Sequence, residues 1–214
     1  MLKRKVITRS GARIRGYFAS VKSQCLIPWE SPLEEQALIV AEFDPRVVRM
    51  RDHQYLIEVE AETRAFDAYP DFIFEYENED PVVIEVKGDK EGRDPEVQSR
   101  LADVARQIAL DGGRYEIWPE TEIRRAPRLP TLEYLRTFRR PRAGAYLIKQ
   151  PGVMELLRWA GEFPLLAAAQ RLRNRPLVMQ LLANDLLHVN FDQPLCDAAS
   201  LTVNEGALHA HVSH

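Results

Sequence analysis

The sequence predicts an α/β protein built on a mixed sheet, and three observations carry that reading. Two runs rich in β-branched and aromatic residues, Tyr69 to Phe74 and Val82 to Lys87, flank a polar, turn-forming stretch from Tyr76 to Pro81. Two stretches with helical spacing, Pro32 to Phe43 and Glu96 to Leu110, stand on either side of that pair. A short run, Tyr115 to Trp118, follows the second of them, as the return strand of a crossover does.

Residues 1–28 show no firm period, and Gly11, Gly16 and Ser20 favour an extended basic arm. The first helix opens at Ser31, with Pro32 at the first helical position and Glu34 three residues after the cap. That capping box by itself accounts for Glu34. Leu33, Ala37, Val40 and Ala41 make the buried stripe, and Asp44-Pro45 ends the helix. Val47 to Met50 fits neither period; Gln54 to Glu60 alternates and is expected to be the first strand of the sheet. Gly88 to Pro95 reads as a loop, and Gly112-Gly113 stops the second helix. The expected core order is therefore helix, three strands, helix, strand.

A further basic helix, Leu129 to Arg140, precedes a boundary at Pro141 to Gly144. Beyond it, Val153 to Phe163, Pro164 to Arg173 and Pro176 to Leu187 read as three short helices. His188 to Leu195 and Leu201 to Val203 then supply a hairpin, completing the pattern of a winged-helix domain. Three segments follow: an arm over 1–28, the main domain over 29–142, and a winged-helix-like domain over 143–214.

The 214 residues are 45% apolar and 29% charged, as in a soluble globular protein, and no apolar run approaches the roughly 20 residues of a membrane span. The basic N-terminus lacks the apolar core of a secretory signal. Cys25 and Cys196 are too few for a disulfide framework, so a cytoplasmic setting is expected. The net charge of −3 argues against a generic nucleic-acid binder, but the charges are segregated. Lys3, Arg4, Lys5, Arg9, Arg13, Arg15 and Lys22 precede the first acid, and a second basic cluster runs from Arg124 to Arg142. Basic surface beside an acidic site suits phosphodiester chemistry; each cluster reads equally well as a solvated face.

The acids converge at the hairpin. Alternation places Glu85 and Lys87 on one face of their strand, and antiparallel pairing brings Asp71 close to Glu85. With Glu34 from the first helix, this makes an oxygen-rich set suited to magnesium, which takes oxygen ligands and keeps several waters. Lys87 is a movable point charge able to orient a water or stabilise a charged transition state. The bland alternative is a surface hairpin with a cross-strand ion pair. Gln98 and Arg106 are candidates to face the cleft, Tyr115 and Trp118 read as core, and Trp159 with Leu156, Leu157, Leu166, Leu181 and Leu182 reads as a second core.

Pro70-Asp71 followed by Glu85-Val86-Lys87 resembles the PD-(D/E)XK nuclease superfamily. The blocks Gly16 to Lys22, Glu30 to Glu34, Glu42 to Val48 and Tyr69 to Phe72, in that order, are similar to the TnsA subunits of heteromeric transposases over most of residues 11–125. The resemblance implies a restriction-endonuclease-like core and an endonuclease that cuts the 5′ ends of a transposon while an integrase-fold transposase handles the 3′ ends. It implies catalytic roles for Glu34, Asp71, Glu85 and Lys87, and two Mg2+ ions, replaceable by Mn2+, on Glu34, Asp71, Glu85 and the backbone carbonyl of Val86. It further implies double-stranded DNA and an AAA+ ATPase regulator as partners, in a bacterial cytoplasm close to the nucleoid. Ser20, Lys22, Arg125, Arg139 and Arg140 are the expected DNA contacts. His53-Gln54-Tyr55 departs from the Gln-Pro that the family often has where a strand begins. The alternatives are another nuclease of this superfamily, such as a restriction or junction-resolving enzyme, and a non-cutting assembly factor between transposase and ATPase.

Overall fold

The computed structural model describes residues 14–61 and 65–206; Lys3, Arg4, Lys5, Arg9 and Arg13 of the basic arm lie outside them. The chain divides into two compact units, one ending at Arg124 and the next beginning at Arg125.

Among the described residues of the expected arm, 16–20 and 25–28 are not extended loop but part of an antiparallel hairpin, β1 (Gly16–Ser20) and β2 (Cys25–Trp29). Gly16 lies against the Trp29 indole, where a Cβ would come within 2.5 Å of the ring, so only glycine fits there. Helix α1 (Pro32–Phe43) follows, capped by Ser31, whose hydroxyl accepts from the Glu34 amide. Its second half, Ala37 to Phe43, is buried on every side. Among these residues is the Glu42 carboxylate, which accepts from the Ser20 hydroxyl at 2.7 Å and from the Val21 and Lys22 amides. These bonds satisfy a charge that would otherwise be too costly to bury. The Lys22 ammonium donates to the carbonyls of Ala41, Asp44 and Val47, at the negative end of α1.

The central sheet has four strands in the order β3 (Val47–Asp52), β6 (Phe72–Tyr76), β7 (Val82–Lys87) and β8 (Arg114–Pro119). Between β3 and β6 a separate two-stranded sheet intervenes, β4 (Ile57–Val59) with β5 (Phe66–Ala68). Here the sequence reading needs correction: Gln54 to Glu60 contributes to this small sheet, and the unassigned Val47 run supplies the core strand. A bulge between Val47 and Arg49 breaks the alternation that would have marked it, although Val47 and Met50 are both fully buried.

The β6–β7 pair is antiparallel, closed by a turn in which Asn78 has φ 59°. Strand β7 is followed by α2 (Asp89–Gly92) and α3 (Pro95–Leu110), and β8 returns parallel to it. Asp94 caps α3 by accepting from the Glu96 and Val97 amides, and Gly112 at φ +77° follows its end. Val104 and Ile108 of α3 cover Val59, with Val83 and Tyr115 packed against them. The other side chains of β6 and β7, Phe72, Phe74, Val82 and Ile84, are fully buried; each large one contributes about 1.5–3 kcal/mol of burial. A short helix α4 (Glu120–Ile123) ends the unit.

The second unit begins with α5 (Arg128–Arg136), which packs on α9, so the basic helix belongs here and the expected boundary at Pro141 to Gly144 falls inside this unit. After α6 (Ala143–Leu147) and α7 (Val153–Leu156) come β9 (Phe163–Pro164), α8 (Leu165–Leu172), α9 (Arg175–Ala183), β10 (Leu187–Val189) and β11 (Ser200–Val203). The three strands form an antiparallel sheet in the order β10, β11, β9. Leu156, Leu165, Leu181, Leu182 and Leu187 form its interior, and Trp159 meets Phe163 edge-on. Leu166, expected in that core, is instead 41% exposed, because it is the second residue of α8 and follows the buried Leu165 round to the outer side. Among the described residues no helix is long and apolar enough to cross a membrane.

Candidate active site

The hairpin register Phe72↔Ile84 sets Asp71, the residue before β6, opposite Glu85 on β7. The backbone locks it there: the Asp71 amide donates to the Ile84 carbonyl at 3.1 Å, and the His53 amide donates to the Asp71 carbonyl at 3.0 Å. The Asp71 side chain accepts from the Val86 amide at 2.7 Å. Three backbone-anchored bonds thus aim one carboxylate at the end of β7.

Lys87, two residues beyond Glu85 and on the same face, places its ammonium 2.8 Å from a Glu85 carboxylate oxygen and 3.8 Å from Glu91 on α2. Glu34, in the first turn of α1, completes the group. Glu34, Asp71, Glu85, Val86, Lys87 and Glu91 all line one open cleft of about 640 Å³. The four residues predicted as catalytic therefore meet. Glu91 was missed, its only signal being its place four residues after Lys87.

The electrostatics of the cleft are those of crowded acids. Burial, then the charges of Glu85 and Glu34, push the Asp71 carboxyl well above the ordinary range, against the Val86 amide and Lys87. Lys87 shows the converse: burial disfavours its charge, yet Glu85, Asp71 and Glu91 hold its proton more firmly than usual. One ammonium thus balances several carboxylates.

Glu34 is engaged elsewhere. One of its carboxylate oxygens accepts from the Ser31 hydroxyl at 2.9 Å and the other from the amide of Glu30, one residue before the cap, at 2.6 Å. Accordingly, among the described residues no group of three acidic, histidine or cysteine side chains stands ready to hold an ion. Asp71 and Glu85 nevertheless fit a hard cation. Both are oxygen donors, their charges repel, and magnesium typically uses one or two carboxylates, taking its remaining ligands from waters and substrate phosphate.

The expected DNA contacts fare differently. Ser20 and Lys22 are turned into the scaffold by the Glu42 and α1 contacts described above. Arg139 is 7% exposed and donates to the Ala183 carbonyl and the Asp185 carboxylate. Arg140 remains at the surface, its guanidinium on the Arg139 carbonyl, and Arg125 lies 3.7 Å from Asp192. Gln98 donates to the Gly92 carbonyl and lines a cavity shared with Lys87, whereas Arg106 is held by Asp103, away from the cleft. No model of a known protein family matches the chain, and no curated protein matches it.

Proposed function

We propose that the first unit is a divalent-metal-dependent DNA endonuclease with a PD-(D/E)XK site on a restriction-endonuclease-like core. The observation that carries this reading is the convergence, at one end of β6 and β7, of a backbone-locked Asp71 with Glu85, Lys87 and Glu34 in a single cleft. Within that class, the order of sequence blocks around the cleft supports a TnsA-like subunit that cuts the 5′ ends of a transposon beside an integrase-fold transposase and an AAA+ regulator.

Asp71 and Glu85 would hold the cation, with the Val86 carbonyl and Glu34 as further oxygen donors. Mg2+ or Mn2+ held there would neutralise phosphate charge and make a bound water more acidic. Lys87, released from Glu85, moves to the phosphate or to the attacking water and stabilises negative charge through its ammonium. In the metal-free cleft Glu85, Asp71 and Glu91 hold the Lys87 proton more firmly than usual, against the effect of burial. The second unit, with helices α8 and α9 followed by a hairpin, supports a winged-helix reading and a role in docking DNA or a partner.

The test is strand cleavage at transposon ends with the partner transposase and Mg2+. Asp71→Ala should abolish 5′ cutting and leave 3′ processing by the partner intact; 5′ cutting at the wild-type rate would refute the assignment. Cleavage of DNA by the chain alone would favour a restriction or junction-resolving enzyme. Unaltered transposition products with Glu85→Ala would favour a non-cutting assembly factor.

A further inference from the structure

On a winged-helix reading of the second unit, DNA would be met by α9, the second helix of its helix pair, and by the loop between β10 and β11. Neither is built for it. Helix α9 buries Leu177, Val178, Met179, Leu181, Leu182 and Ala183, so packing closes most of its circumference. Helices α5 and α6 contribute to that cover. The loop 190–199 has no basic residue, and its two acids, Asp192 and Asp197, engage Arg125 and Arg175.

The side of α9 left open is marked by Gln180 and Asn184, four residues apart on one face. Both line a cleft of about 360 Å³ with Arg140, Arg142 and Tyr146, and no acid lines it. The turn that carries the arginines is fastened to the end of α9. The Asn184 side chain donates to the Phe138 carbonyl at 3.2 Å and accepts from the Arg140 amide at 3.0 Å. Between those two bonds Arg139 runs inward to the Ala183 carbonyl and Asp185. With Arg139 turned in, Arg140 and Arg142 stand exposed on either side of Pro141. Arg140 uses one guanidinium nitrogen on the Arg139 carbonyl, which leaves donors for a ligand. Among the described residues the Arg142 guanidinium has no hydrogen bond or ion pair. From Tyr134 to Met154 the chain holds five basic residues and no acid.

We propose that the α5–α6 turn is the DNA-backbone contact of the second unit: Arg140 and Arg142 each take a phosphate of a duplex, while α9 and the loop 190–199 stay off the DNA. Planar guanidinium forks match phosphate oxygens, and a turn fastened in place presents them at little cost in order. Tyr146, 66% exposed beside them, adds a hydroxyl donor of the kind that backbone contacts use. The choice of DNA over an acidic protein surface rests on the nuclease reading.

Duplex binding to the full-length chain, followed by fluorescence anisotropy in chelator over a range of salt, tests it. The variant combines Arg140→Gln with Arg142→Asn. Asparagine tolerates the left-handed φ of 58° that Arg142 holds, so the melting temperature should stay at the wild-type value. The slope of log affinity against log salt should become shallower by about 1.8, which is 0.9 for each phosphate given up. The weakening should be the same for a transposon end and an unrelated duplex, because phosphate contacts carry no sequence information. Arg175→Gln should leave affinity and slope unchanged. Wild-type affinity and slope in the double variant would overturn the assignment and give the cleft to an acidic protein partner. A larger loss with Arg175→Gln would overturn it in favour of the start of α9. In either case, Mg2+-dependent cutting by the wild type would leave the nuclease standing. A wild-type chain that neither binds duplex nor cuts it would bring down the nuclease reading, and this inference with it.

Discussion

Asp71→Asn should make the protein more stable and inactive at once. The substitution keeps the shape of the side chain and an oxygen to accept the 2.7 Å bond from the Val86 amide, but removes the charge. In the native state that charge is opposed by burial, Glu85 and Glu34, which lift the carboxyl pKa above its unfolded value near 3.9. The sign follows by linkage. Between the unfolded and native pKa values the native state binds the extra proton, so wild-type stability falls as pH rises through that window. Above it the full penalty is present; below it, where both states are protonated, wild type and Asp71→Asn should melt alike. Each tenfold rise in proton affinity corresponds to about 1.4 kcal/mol. A gain of this order raises the melting temperature of a unit of this size by roughly 3–6 °C. Scanning calorimetry in chelator from pH 3 to 8 should thus show two curves that coincide in acid and diverge toward neutrality, while metal-dependent cutting falls by about 10²-fold or more. Loss of stability at pH 7 in Asp71→Asn, or a difference independent of pH, would refute the picture of a repelled carboxylate awaiting a cation.

Lys87→Ala removes the ammonium that balances Glu85 and Asp71, so it should cost about 1–3 kcal/mol in chelator. Adding Mn2+ should recover part of that loss in thermal melts, because a cation then replaces the ammonium; no recovery would argue against an ion at these acids. Arg139→Ala should lower stability by about 1–3 kcal/mol, since it strands the buried Ala183 carbonyl. If Arg139 instead served DNA, binding would weaken and the denaturation midpoint would stay put.

The part of the site that could be read from the sequence is the part that local rules control. Asp71, Glu85 and Lys87 were legible because turn chemistry fixes the hairpin and two-residue alternation fixes its faces. Glu34 was legible twice over, as a cap and as a ligand, and the structure has it acting as the cap. What escaped depends on distant partners. Ser20 and Lys22 read as an exposed basic arm because nothing near them announces that Glu42 and the end of α1, some twenty residues on, will claim them. Arg139 reads as surface charge until the Ala183 carbonyl supplies its acceptor. Strand β3 was hidden by one extra residue at its bulge, and Tyr115 was read correctly as core for its ring.

The Ser31–Glu34 box has an energetic corollary. Each Glu34 oxygen already accepts one bond at the start of α1, so an ion that enlisted Glu34 would compete with the cap for the carboxylate's charge and orientation. A helix cap is worth about 1 kcal/mol, equal to roughly a fivefold toll on that ion's affinity. The resting protein would therefore hold its cation loosely on two acids. On the nuclease reading, the third ligand would come under command only when bound substrate offset that loss, which would make cutting conditional on correct engagement.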